Sequence, residues 1–299
     1  MEIFDLHVHI QHCASTPDPE GLAARLDAAG VAGCALLSPD PADGLSERFL
    51  PYEQRLESLF GWIHGLEDRV LPVFWVHPYE DNAVRKVEDA AARGVAGYKM
   101  ICDRYYVDDP RSMAVLRAIA ETGKPVMFHS GILWGGRVSS KYNRPVNWEA
   151  LLTVPGLRFS MAHCAWPWYD ECIAMYGKFL NAYAENPDAS AEMFFDLTPG
   201  TPEIYRRDLL FKLLHAGYDV PHNILFGTDS IAEQYKSGWV QKWVKIDSEL
   251  YDDFGAPPRL KELIFHENAM RFFGRIPKNF THVSPVCDDA DTWNLRNTI

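Results

Sequence analysis

Two histidines stand two residues apart near the start of the chain, in the run Ile3-Phe4-Asp5-Leu6-His7-Val8-His9. The run is apolar and partly β-branched, the composition of a buried strand. Side chains alternate faces along a strand, so His7 and His9 point the same way. Two imidazoles on one face at a strand end make half of a metal site; the plain alternative is that each ring bonds a backbone carbonyl. Further polar residues close later apolar runs: His77, Lys99, His129, His163, Asp196 and Asp229. Three or four neutral imidazoles with one carboxylate suit one divalent metal, Zn²⁺ first, with Mn²⁺ or Fe²⁺ as alternatives. Such an ion lowers the pKa of a bound water towards about 7 and so supplies a nucleophile at neutral pH. By contrast His64, His215, His222 and His282 fall in expected helices or loops and read as surface or locally satisfied histidines. His12 lies just past the first run.

The elements that position these residues keep a rhythm. Apolar runs at 3–9, 31–37, 70–76, 95–100, 125–129, 157–163, 192–197 and 224–229 read as eight buried strands. Amphipathic stretches at 19–29, 53–66, 81–92, 113–121, 169–184 and 202–216 read as helices between them. Long polar or Pro/Gly-rich loops are expected at 38–52 and 131–147, a short helix at 148–152 and a closing helix at 261–273. Strands recurring roughly every 30 residues, each followed by a helix, predict an α/β fold of the (β/α)8 TIM-barrel type. A doubly wound sheet is the runner-up, but no GxGxxG follows the first strand. In a barrel the site gathers at the C-terminal ends of the strands, which is where the polar residues recur. Residues 1–275 are therefore read as one barrel and 276–299 as a C-terminal extension.

Composition narrows the classes. With 47% hydrophobic and 23% charged residues, the chain reads as a soluble globular protein. Its net charge of −12 and lack of a basic stripe argue against nucleic acid. No run reaches the roughly 18 apolar residues of a membrane span, and Glu2 and Asp5 break any signal-peptide pattern. Six cysteines without a CxxC pair read as buried thiols of a reduced, cytoplasmic protein.

HxH on the first strand, His closing the fifth, His closing the sixth and Phe226-Gly227-Thr228-Asp229 closing the eighth resemble the amidohydrolase superfamily. The closer likeness is to its amidohydrolase-related branch, which holds metal-dependent hydrolases and decarboxylases related to aminocarboxymuconate-semialdehyde decarboxylase. The resemblance spans about residues 1–275, including Glu267-Asn268-Ala269 in the closing helix. It implies that His7, His9, His129 and Asp229 bind one divalent metal. It further implies that His163 polarises the substrate or acts as acid/base, and that Asp229 also moves a proton from water to the leaving group. In two-metal members the lysine at the position of Lys99 is carbamylated and bridges the ions. Here Lys99 is expected to serve the substrate or to stand behind the ligands, and His77 and Asp196 to orient other groups.

Specificity is expected from the loops after strands four, five and six, with Arg104, Tyr105, Tyr106, Trp134, Arg137, Lys141, Tyr142, Arg144, Trp166 and Trp168. Lys99, Arg104, Tyr105, Trp134, Arg137 and Trp166 are the candidate substrate contacts. Aromatics interleaved with cations suit a small, planar or apolar molecule bearing a carboxylate. The leading expectation is hydrolysis of an amide, lactone or ester-like bond; the alternative is non-oxidative decarboxylation of an aromatic or conjugated acid. Aromatics in 164–184 leave room for a lid or for a homo-oligomer interface.

Overall fold

The computed structural model describes residues 1–42 and 48–275. The extension read at 276–299 lies outside them. Nine short strands form one parallel sheet: β1 (Phe4–His9), β2 (Gly33–Leu37), β3 (Val70–Trp75), β4 (Gly97–Met100), β5 (Val126–Phe128), β6 (Arg158–Met161), β7 (Glu192–Asp196), β8 (Ile224–Leu225) and β9 (Ser230–Ile231). The sheet order is β8-β7-β6-β5-β4-β3-β2-β1-β9. Of its two outer members, β8 opens the run read as strand eight at 224–229 and β9 follows just past the end of that run, the two parted at 226–229. The amide of Leu6 donates to the carbonyl of Phe226 at 3.0 Å across that break, so the curled sheet meets itself. The architecture is the expected TIM-barrel-like α/β fold.

Helices α1 (Pro19–Ala29), α2 (Tyr52–Ile63), α3 (Ala83–Ala92), α4 (Pro110–Glu121), α5 (Tyr169–Glu185) and α6 (Arg206–His215) cover the outside. The stretch read as a helix at 148–152 is a 3-10 segment, Pro145–Thr153. Sequence periodicity left out α7 (Ser237–Asp253), although its buried Val240, Trp243, Asp247 and Tyr251 repeat at helical spacing. A charged residue within that stripe obscures the pattern. The closing helix is a composite of α8 (Pro258–Glu262), a π turn (Leu263–Glu267) and α9 (Asn268–Phe272).

Two apolar layers record which way each strand residue faces. Phe4, Leu6, Ala35, Leu37, Val73, Met127, Phe194 and Leu225 fill the barrel interior with Ala269, Phe272 and Phe273 of the closing helix. Val8, Cys34, Leu36, Phe74, Tyr98, Phe128 and Phe195 face the surrounding helices. The inward series on β4, β5 and β7 therefore ends with Lys99, His129 and Asp196. On β1 the same parity would put Val8 inside and both histidines outside. An irregularity prevents this: Asp5 pairs with Cys34 and Val8 with Leu36, so three steps on β1 match two on β2. One extra residue re-aims the remainder of the strand, as β-bulges do beside active sites.

Tyr176 and Phe179 of α5 turn inward and are buried, so they form neither lid nor interface. Of the five described cysteines, all free, four are buried. Among the described residues no helix is long and apolar enough to cross a membrane.

Candidate active site

Past the bulge, His7 and His9 enter the mouth of the barrel. The Asp196 carboxylate accepts from Nδ1 of His7 at 2.9 Å, which leaves the Nε2 lone pair directed inward. That atom lies 3.1 Å from Nε2 of His9, and Asp229 Oδ1 lies 3.2 Å from His9 Nε2 and 3.7 Å from His7 Nε2. Burial, reinforced by the Lys99 charge, pushes the His7 imidazole down to about 4, so it is neutral near pH 7. Withdrawal from water works against the Asp229 carboxylate. The His9 hydrogen bond and the neighbouring imidazoles outweigh it and hold the carboxyl well below its ordinary range. Asp229 itself sits at φ 55°, a left-handed conformation uncommon outside glycine.

Among the described residues, His7, His9 and Asp229 form the one group of three possible ligands, with ligand atoms within 4.8 Å of one another. Two imidazoles and an ionised carboxylate, crowded round one point, are a donor set that fits a divalent ion. His129 lines the same cavity but stands outside this group. Its Nε2 lies 3.2 Å from the carbonyl oxygen of Ile132, and burial holds its pKa well below the ordinary value. Lys99 is buried with Nζ at 3.2 Å from His7 Nε2. Burial lowers its pKa to about 8, against the pull of Asp196 and Asp229.

His163 stands in a turn, Ala162–Ala165, in which His163, Cys164 and Ala165 all have left-handed φ angles of 60°, 44° and 58°. Such backbone costs roughly 1–2 kcal/mol per residue and persists only where the surroundings hold it. The holders are hydroxyls: Thr201 donates to the His163 carbonyl at 3.1 Å, and the His163 amide donates to Thr198 Oγ1 at 3.3 Å. Nδ1 of the ring lies 3.1 Å from Thr198 Oγ1 and 3.3 Å from the Thr198 carbonyl. Paired with the carbonyl, which can only accept, Nδ1 carries the proton and Nε2 a lone pair; paired with a donating Thr198 hydroxyl, the proton sits on Nε2. Burial lowers the His163 pKa, so the ring is neutral. It stacks on His7 at 5.9 Å, and a Cβ on Gly200 would collide with Cγ and Nδ1 of its ring. Thr198 also donates its amide to Asp196 Oδ1 at 2.9 Å, tying the two histidine partners together. Nothing in the sequence marked Thr198, because threonine at a strand end is commonplace.

The cavity holds about 390 Å³ and is lined by His7, His9, Lys99, His129, His163 and Asp229 together with Ile101, Ile132, Leu133, Trp134, Trp166 and Pro199. Trp134, 76% exposed, stacks over Trp166 at 6.1 Å and 15°. Three expected contacts are not brought to it. Arg104 and Arg137 both bind Asp103, at 3.0 and 2.9 Å, and Tyr105 is buried with its hydroxyl on the Ile101 carbonyl at 3.0 Å. His77 also donates to Asp103, at 3.2 Å, so it orients this carboxylate and no histidine of the site. Those donors outweigh burial and keep Asp103 ionised well below the ordinary range. Farther out, Arg144 pairs with Glu171 at 2.8 Å and Lys141 lies over the Tyr142 ring.

The amidohydrolase family model matches residues 48–275, more than half of the chain. The chain belongs to the amidohydrolase family. No curated protein matches it. Solved structures with the same fold include 5-carboxyvanillate decarboxylase from Sphingomonas paucimobilis, at 14% identity and TM-score 0.60, covering 92% of this chain and 99% of that one. A probable 2-pyrone-4,6-dicarboxylic acid hydrolase from Acinetobacter baumannii aligns at 13% identity and TM-score 0.59, covering 92% and 100%. The 4-oxalomesaconate hydratase of Rhodopseudomonas palustris aligns at 14% and 0.58, covering 91% and 96%. At such identities the likeness speaks for the fold. The family makes this chain an enzyme of the amidohydrolase superfamily, whose members related by fold include a decarboxylase, a probable hydrolase and a hydratase.

Proposed function

We propose that the protein is a metal-dependent hydrolase of small carboxylated molecules, cleaving an amide, lactone or ester-like bond. The observation that carries this reading is the convergence of His7, His9 and Asp229 on a cavity that also holds a buried lysine. His7, His9 and Asp229 would hold the ion, with His129 on the same wall. A divalent ion there supplies Lewis acidity for a carbonyl oxygen and lowers the pKa of water. Asp229, ionised, and His163, neutral, are the groups able to take a proton from attacking water. With the proton on Nε2 instead, His163 donates to the oxyanion beside the ion. Lys99 carries charge up to about pH 8 and offers a point charge to a substrate carboxylate. Trp134, Trp166, Ile132 and Leu133 provide an apolar wall for the remainder. Two of the structural neighbours are a carboxyvanillate decarboxylase and a probable pyrone-dicarboxylic acid hydrolase, so carboxylated substrates suit this fold. The alternative, non-oxidative decarboxylation, requires an acid to protonate carbon, and Lys99, charged up to about pH 8, is a cavity group that holds a proton there.

The test is metal content per chain by elemental analysis after purification without chelator. One equivalent, lost in a His7→Ala/His9→Ala variant, is the expected result. No metal after reconstitution would sink the reading. With a substrate in hand, uptake of ¹⁸O from water marks hydrolysis and release of CO₂ marks decarboxylation.

A further inference from the structure

The ligand group is assembled from two places at opposite ends of the barrel sequence, and Asp5 touches both. Its Oδ1 accepts from the His7 amide at 3.2 Å and from the Thr228 amide at 2.9 Å. Its Oδ2 accepts from the Thr228 hydroxyl at 2.5 Å and from the Tyr235 hydroxyl at 2.9 Å. Asp5 is fully buried and faces the helices, not the cavity, so it meets no substrate. These bonds solve two local problems. The bulge after Asp5 removes His7 from the regular ladder with β2, and a buried amide left without an acceptor costs about 1–3 kcal/mol. Asp5 takes that amide. The break between β8 and β9 leaves the residue before Asp229 without a strand partner, and Asp5 takes its amide and hydroxyl. Trp239 completes the grip by donating Nε1 to the Thr228 carbonyl at 2.9 Å.

We infer that Asp5 is a positioning residue that sets His7 and Asp229 in one frame through the His7 and Thr228 main chain. The proposal rests on the metal reading for its consequence, and on hydrogen bonding alone for its mechanism. The register shift that turns both histidines inward and the left-handed backbone at Asp229 are held by the same carboxylate. Loosening it lets the two halves of the ligand group drift independently. Geometry of this kind is worth about 10–100-fold in metal affinity where outer partners of ligands are removed.

The experiment compares Zn²⁺ affinity, by competition with a chromophoric chelator, with amide hydrogen exchange at His7 and Thr228 in metal-free protein. Asp5→Ala is expected to weaken Zn²⁺ binding at least tenfold and to speed exchange at both amides. Asp5→Asn keeps Oδ1 for the two amides while the hydroxyls rotate to accept from its NH₂, so it should stay within about threefold of wild type. Asn268→Ala is the matched control. It removes buried bonds to the Pro221 and Ile224 carbonyls, 2.8 Å each, at the start of β8. It should cost stability and leave affinity unchanged. If Asp5→Ala fails to fold, Asp5→Ser carries the test, its hydroxyl falling a bond short of the Thr228 amide. Wild-type affinity in Asp5→Ala, equal losses in Asp5→Asn, or equal losses in Asn268→Ala would each overturn the proposal. A wild type that binds no zinc sinks the metal reading alone; unchanged exchange at the two amides in Asp5→Ala would then overturn this one.

Discussion

Replacing Asp196 by Asn tests whether a single hydrogen bond decides which nitrogen of His7 faces the site. The two carboxylate oxygens each accept one N–H, from His7 Nδ1 at 2.9 Å and from the Thr198 amide at 2.9 Å. Asparagine has one oxygen for these two donors. If its oxygen stays on Thr198, its NH₂ meets Nδ1, and His7 must move its proton to Nε2, the atom 3.1 Å from His9 Nε2. That blocks the lone pair a ligand needs. If it flips, NH₂ faces the Thr198 amide, and a buried donor goes unpaired at a cost of about 1–3 kcal/mol. Either way the ligand-competent tautomer sits above the ground state by about that amount. The loss of a partner charge behind the imidazole acts in the same direction. Zn²⁺ affinity should fall about 10–100-fold, which is about 1.4–2.7 kcal/mol. Chelator competition measures it, with denaturant unfolding of the metal-free protein as the check on folding. A folded Asp196→Asn protein binding Zn²⁺ within twofold of wild type would refute the reasoning.

Lys99, with its pKa lowered from the ordinary 10.5 to about 8, binds fewer protons folded than unfolded between those values, so its contribution to stability rises with pH across that window. Benzoate affinity should decline above about pH 8 as the ammonium is lost, and Lys99→Met should flatten the profile; titration calorimetry from pH 7 to 9.5 reads both, and a flat wild-type profile counts against the carboxylate role. The fully buried Arg206–Asp247 pair, bidentate at 2.8 and 2.6 Å, joins α6 to α7, and Asp247→Ala should cost about 3–5 kcal/mol by stranding the guanidinium. An Arg206→Met/Asp247→Leu double variant should regain most of that loss in urea unfolding; a double variant as unstable as the single one would show that the cost is packing, not charge.

Much of this protein was legible in its sequence. Eight apolar runs with helical stretches between them specify the sheet, because a parallel strand buried on both faces must be apolar along its length. Polar residues stand out at the ends of those runs for the same reason, which is how His7, His9, Lys99, His129, His163, Asp196 and Asp229 could be gathered before any coordinates. What a strand pattern cannot reveal is which face a residue takes after a bulge. Phe4, Leu6 and Val8 alternate as if one set faced inward, yet Leu6 and His7 both do. Nor does sequence choose ion-pair partners. Arg104 and Arg137 sit in loops where a substrate carboxylate would be welcome, but Asp103 from the same rim occupies both. The tautomers of His7 and His163 depend on Asp196 and Thr198, residues far away in sequence whose carboxylate and hydroxyl arrive only when the barrel curls. Local periodicity therefore determined the elements and the types of residue at the site. Face, partner and protonation were left to tertiary structure, since each depends on atoms that only the folded sheet brings within about 3 Å.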